Sequence, residues 1–166
     1  MKTWLNAVLV GAAVLGAAPA AGAQELPLSV EVRLDGGIPV QDTNDVLDTG
    51  VGFGIRASFD IAPTFAIYGG YSRFQFDYDD EFLDGAELEE DGFELGGRVG
   101  VGSGHGDASP YILLGALFHD DETGLEAGIG ADYPVSWNVS VTPEVRYRTI
   151  DDLDYLALGL GARFRF

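Results

Sequence analysis

From Leu26 to the C-terminus the apolar residues recur with a period of two and helical stripes are almost absent, so the chain predicts strands. Leu26, Leu28, Val30, Val32 and Leu34 alternate with Ser29, Glu31, Arg33 and Asp35. Val51, Phe53, Ile55, Ala57 and Phe59 alternate with Gly52, Gly54, Arg56, Ser58 and Asp60. Residues 65–78 (FAIYGGYSRFQFDY) predict a third strand, with a bulge expected near Gly69-Gly70 and the phase left open. Phe93, Leu95, Gly97, Val99 and Val101 then oppose Glu94, Gly96, Arg98 and Gly100. In the second half, Ile112, Leu114, Ala116 and Phe118 oppose Tyr111, Leu113, Gly115 and Leu117, the least amphipathic of the segments. Leu125, Ala127, Ile129, Ala131 and Tyr133 oppose Glu126, Gly128, Gly130 and Asp132, and Val139, Val141, Val145 and Tyr147 oppose Ser140, Thr142, Glu144, Arg146 and Arg148. Leu156, Leu158, Leu160, Ala162, Phe164 and Phe166 close the series against Ala157, Gly159, Gly161, Arg163 and Arg165. Each of these eight segments has roughly the ten residues a tilted strand needs to cross a bilayer.

The connections alternate as well. Longer acidic loops are expected at 36–49 and 79–91, and short acidic ones at His119–Thr123 and Ile150–Asp154. The other links, Ile61–Thr64, Ser103–Ser109 and Pro134–Asn138, are mostly tight. An even strand number with short turns at one end and longer loops at the other is the pattern of an all-β, eight-stranded antiparallel up-and-down transmembrane barrel, with both termini on the periplasmic side. Pro143 costs a ladder hydrogen bond in a sheet without edges, so a bulge or a late start of the seventh strand is expected there.

Alternation alone does not say which face is inside, because a soluble lipocalin-like barrel and a membrane barrel are inversions of one another. Charge decides it. The polar face carries Arg33, Arg56, Arg98, Arg146, Arg148, Arg163 and Arg165 together with Glu31, Asp35, Asp60, Glu94, Glu126, Asp132 and Glu144, seven of each sign. The whole chain has nine Lys+Arg against 27 Asp+Glu, a net charge of −18, so the balance belongs to that face. A narrow lumen demands such pairing, whereas a solvated face does not. Slipping the phase by one residue would point each arginine at lipid, at about 2–4 kcal/mol apiece near the midplane. The expected result is a lumen plugged by a charge network.

The same acidic balance excludes a general nucleic-acid binder, and the absence of cysteine excludes disulfides and thiolate metal sites. The longest apolar run of the barrel portion, Tyr111–Phe118, is far short of a membrane helix. Residues 1–23 (MKTWLNAVLVGAAVLGAAPAAGA) have one early lysine, an apolar stretch and an Ala21-Gly22-Ala23 ending, the form of a cleaved signal peptide. The expected division is therefore a signal peptide at 1–23 and a barrel domain at 24–166.

With this leader, the alternation of the mature chain and the ending Gly161-Ala-Arg-Phe164-Arg-Phe166, the sequence resembles the small eight-stranded outer-membrane β-barrel proteins of the OmpX and OmpA-transmembrane-domain kind. In that resemblance Gly161, Phe164 and Phe166 form the signal read by the outer-membrane assembly machinery, although Gly159 stands where the family usually has a larger polar residue. The resemblance implies a monomer with no cofactor, contact with outer-membrane lipid and lipopolysaccharide, and a role in envelope integrity or surface adhesion through the loops 36–49 and 79–91.

His105 lies in a glycine-rich turn and reads as solvated. His119 stands at the outer rim, but no serine occupies the neighbouring strand ends, so a lipid A hydrolase or acyltransferase is disfavoured. The acidic run from Asp77 to Asp91 fails an EF-hand frame, with Phe82 and Leu88 where Gly and Glu belong, so no metal site is expected and only loose divalent-cation binding is left open. Eight strands enclose too little space for a diffusion porin, which leaves a small gated channel as the alternative. Tyr68, Tyr78, Tyr111, Tyr133, Tyr147 and Phe166 are expected in the interfacial aromatic girdles.

Overall fold

The computed structural model describes residues 27–40, 47–78, 87–101, 108–119, 122–151 and 153–166. The leader 1–23, Leu26, His105 and the segment 79–86 lie outside the described residues. Eight strands follow one another: β1 (Leu28–Pro39), β2 (Gly50–Ala62), β3 (Phe65–Asp77), β4 (Glu87–Gly100), β5 (Ser109–His119), β6 (Glu122–Pro134), β7 (Val139–Ile150) and β8 (Leu153–Arg165). Each pairs antiparallel with its sequence neighbours, and β1 pairs with β8 to close the barrel. Closure gives every strand a partner on both sides and so removes the free edges of an open sheet.

The register explains the glycines of the inward face. Arg33 lies between Gly54 of β2 and Gly161 of β8. Glu144 likewise lies between Gly130 and Gly159. A long charged side chain can then lean over its neighbour instead of colliding with it. Gly70 is the sharpest case, because a Cβ there would sit 2.5 Å from the Ile55 carbonyl oxygen and 2.9 Å from a Glu94 carboxylate oxygen. Opposite charges also meet directly across strands: Glu31 stands between Arg56 and Arg163, and Glu126 faces Arg148.

The apolar residues point outward. Leu34 and Val51 are each 70 % exposed and Leu114 is 65 % exposed, whereas Arg33, Arg56, Arg146, Arg148 and Arg163 are at most 2 % exposed inside. A water-soluble barrel arranges these groups the other way round, and a surface this apolar needs lipid against it. The soluble lipocalin-like alternative is thereby excluded.

Four expectations need correction. Strand β3 keeps one phase throughout, with Ala66, Tyr68, Ser72, Phe74 and Phe76 buried. Its pairing with β2 and β4 is even across Gly69 and Gly70, so no bulge lies there. The register shift is on β2, between Asp60 and Ala62 at the turn. Strand β4 begins at Glu87, so the last five residues of the expected 79–91 loop belong to the ladder with β3. Likewise β1 extends to Pro39, which shortens the expected 36–49 loop. Finally, Pro143 causes neither a bulge nor a late start. It pairs with Leu160 in regular register, and on its other side the pairing lapses opposite Ala131 and Asp132 and then resumes unshifted at Tyr133↔Val141. The closed sheet tolerates the missing donor by dropping the pairing locally on one flank.

Candidate functional site

Chemistry-bearing side chains converge in the interior of the barrel, where alternation brings them from every strand. Near the short-turn end, Arg163 donates to Glu31 and, at 2.6 Å, to Asp132. Asp132 also accepts from Arg98 at 3.1 Å. In the middle, Glu94 is the hub. Arg33 grips it with both terminal nitrogens, at 2.9 and 2.6 Å, and Arg56 Nε adds a third bond at 2.8 Å. Arg56 reaches on to Glu144 at 3.1 Å, while Arg146 holds Asp35 at 2.5 Å and Glu144 at 2.9 Å. Two phenols complete the carboxylates: Tyr68 donates to Glu126 at 2.7 Å and Tyr111 donates to Glu144 at 2.9 Å. The Arg56 guanidinium also stacks over the Tyr68 ring, 4.4 Å from its centre.

Toward the long-loop end, Arg148 donates to Ser72 at 2.9 Å and to the Tyr155 oxygen at 2.8 Å, and the Tyr155 hydroxyl in turn donates to Glu90 at 2.6 Å. Phe74, Phe76 and Tyr155 then close over the charges with Leu47 and Ala157, flanked by Tyr78, Leu88 and Leu153. The Tyr155 ring meets Phe74 edge-on at 5.0 Å. The lumen therefore carries paired ions under an apolar cap.

Of the residues the sequence placed on the inward face, Glu31, Arg33, Asp35, Arg56, Glu94, Glu126, Asp132, Glu144, Arg146, Arg148 and Arg163 meet in this cluster, with Arg98 at its edge. Arg165 is farther out, its side chain 46 % exposed and 3.9 Å from Asp132. Asp60 is exposed at the short-turn mouth, outside the cluster, next to the register shift that ends the regular β2–β3 pairing. Gly161 faces inward beside Glu31, Phe164 pairs with Val30 on β1, and the Phe166 N–H donates to the Leu28 carbonyl.

The pattern missed several members. Glu90 falls within the expected 79–91 loop, yet it shares the parity of Glu94 four residues on, and that parity is the available signal. Phe74, Phe76 and Tyr155 are inward aromatics that a rule of polar-inside cannot recognise. Tyr68 and Tyr111 are not girdle residues: they are buried and spend their hydroxyls on the network. Tyr133 does face outward, 47 % exposed.

At the long-loop rim, His119 Nδ1 accepts the Asp91 backbone N–H at 3.1 Å. On the outer face of the β3–β4 hairpin, Arg73 pairs with Glu89 at 2.5 Å and Tyr71 donates to Asp91 at 2.6 Å. Among the described residues, no cluster of His, Cys, Asp or Glu is arranged to hold a metal ion.

Solved structures with this architecture include Neisserial surface protein A, at 14% identity and a TM-score of 0.67, with 87% of this chain and all of that one covered. The attachment invasion locus protein Ail of Yersinia pestis aligns at 18% identity and a TM-score of 0.61, over 86% of this chain and all of its own. A de novo designed transmembrane β-barrel aligns at 21% identity and a TM-score of 0.54, over 87% of this chain and its full length. At such identities the likeness is one of fold. No curated protein matches the chain in sequence. The pattern of the outer membrane protein beta-barrel domain matches residues 7–166, and with its outward apolar wall and charged interior this chain belongs to that family.

Proposed function

We propose that the protein is a closed, monomeric structural barrel of the bacterial outer membrane that displays an acidic edge at the cell surface, where it serves envelope integrity or attachment. The observation that carries this reading is the lumen: five arginines at most 2 % exposed, tied to carboxylates from facing strands beneath an aromatic cap. A barrel filled in this way braces its wall from within and leaves no continuous aqueous route. Residues 1–23 are read as the export signal, and Gly161, Phe164 and Phe166 as the signal for the assembly machinery. Lipid and lipopolysaccharide are the surroundings of the outer wall. No catalytic role is assigned.

The surface partner follows from charge. Asp48, Asp77, Glu89, Asp91 and Asp151 are exposed around the extracellular end. Ail has been solved with the heparin analogue sucrose octasulfate. A polyanion of that kind would be repelled by this edge, so the attachment partner of this chain is a basic surface.

Planar-bilayer recording of the purified, inserted protein tests the closed lumen. Silence is expected, and reproducible unitary current steps would replace this reading with the gated channel. For attachment, removing residues 79–86 while keeping β4 intact should weaken adhesion of cells to a basic protein surface and flatten its salt dependence. Unchanged adhesion in that deletion strain would leave only the envelope role.

A further inference from the structure

We propose that the periplasmic mouth of the barrel is a binding vestibule for a small zwitterion of the peptide class, its carboxylate on Arg98 and Arg165 and its ammonium on Asp60. The inward-facing charges fall into two groups. Those of the lumen are buried and paired. Asp60, Arg98 and Arg165 share the inward parity but open to water, with side-chain exposures of 15 % for Arg98 and 46 % for Arg165. All three line one polar cleft of about 580 Å³, together with Tyr111, Asp132 and the β2–β3 turn. That volume suits a dipeptide-sized molecule. A second cleft of about 450 Å³ adjoins it, sharing Asp60 and Arg165 and walled by Trp137 and Phe166. The register shift between Asp60 and Ala62 sits at this rim, where such irregularities re-aim side chains.

The charge balance selects the ligand. Asp132 already accepts Arg163 and Arg98, and Arg165 is a third guanidinium 3.9 Å from the same carboxylate, so positive charge is in excess on that wall. Asp60 has no ion-pair partner among the described residues and supplies the opposite sign on the β2 side. A simple anion meets Asp60 and the field of a chain with net charge −18, while a simple cation meets two guanidiniums. A molecule carrying both charges at its two ends satisfies both walls with charge-assisted hydrogen bonds. This proposal is independent of the surface role at the other end of the barrel.

Trp137 is 86 % exposed beside the site and reports on it by fluorescence. Protein purified from outer membranes in detergent is titrated with alanyl-alanine, and Trp137→Phe assigns the signal. A saturable emission change is expected, with affinity falling about tenfold when the peptide is N-acetylated or C-amidated. Asp60→Asn should abolish the preference for a free amine, and Arg165→Gln the preference for a free carboxylate. Arg73→Gln at the far end should change neither. A flat titration overturns the proposal, as does a doubly capped peptide that binds equally well. Equal binding by the N-acetylated peptide would reduce the site to an anion site and equally refute it.

Discussion

Glu94 shows what a single buried charge does in this protein. Its two oxygens take three arginine nitrogens from β1 and β2, and its own Cα lies opposite Gly70, where no side chain competes for the space. Desolvating these ions is costly, and only complete pairing offsets it. Glu94→Gln is therefore expected to lower stability by about 3–5 kcal/mol, because Arg33 and Arg56 stay buried with their main partner neutral. Urea unfolding of the refolded protein in lipid vesicles measures this, and a loss below the range of a surface mutation would mean that water reaches the cluster. At this scale the sequence was informative about parity and silent about partners. Nothing in the spacing of Arg33 and Glu94 along the chain says that they form a two-pronged pair, since that contact exists only once β1 and β4 curve around a common axis.

Strands were legible where the two faces differed in polarity. In β7, Ser140, Thr142, Glu144, Arg146 and Arg148 alternate with apolar residues, and all five are buried as the pattern required. In β3 the pattern failed because large apolar residues occupy both faces: Phe74 and Phe76 point inward, while Phe65 and Ile67 point outward. The start of β4 was hidden for the converse reason, since its inward Glu90 and outward Glu89 and Asp91 are all charged. Above the membrane both faces of a strand can be polar, and alternation carries no signal there. Pro143 gives a prediction of the same kind. Replacing this exposed proline with valine supplies the missing N–H, restores the ladder opposite Ala131 and should stabilise the barrel by about 0.5–1.5 kcal/mol. Amide hydrogen exchange would show it as slower exchange along β6 and β7. Unchanged exchange there would mean that the lapse is set by strand twist and not by the proline.

At the scale of the whole molecule, the inversion of inside and outside is what ties the fold to its location. Leu114 lies at the middle of β5 with 65 % of its surface exposed, so Leu114→Arg should cost about 2–4 kcal/mol in a bilayer. Folding into vesicles, followed by urea titration, checks this, and a negligible cost would place that wall against protein or water instead of lipid. The likeness to a de novo designed barrel makes a related point: this backbone is reached by a design as well as by natural surface proteins, so the architecture alone does not assign a role. Function therefore rests on what each end of the barrel presents: an acidic edge at the long-loop end and a mixed-charge mouth at the short-turn end.

By itself, the sequence determined the eight strands, their antiparallel order and, in every strand but β3, the face turned outward, because a period of two and the cost of a misplaced arginine act locally along each strand. Only the tertiary structure decided which charges pair, that Asp60 and Arg165 leave the network for the mouth, and that Tyr68, Tyr111 and Tyr155 serve the lumen. Those outcomes depend on strand register and on distances across a closed ring, where residues far apart in the chain come within hydrogen-bond reach.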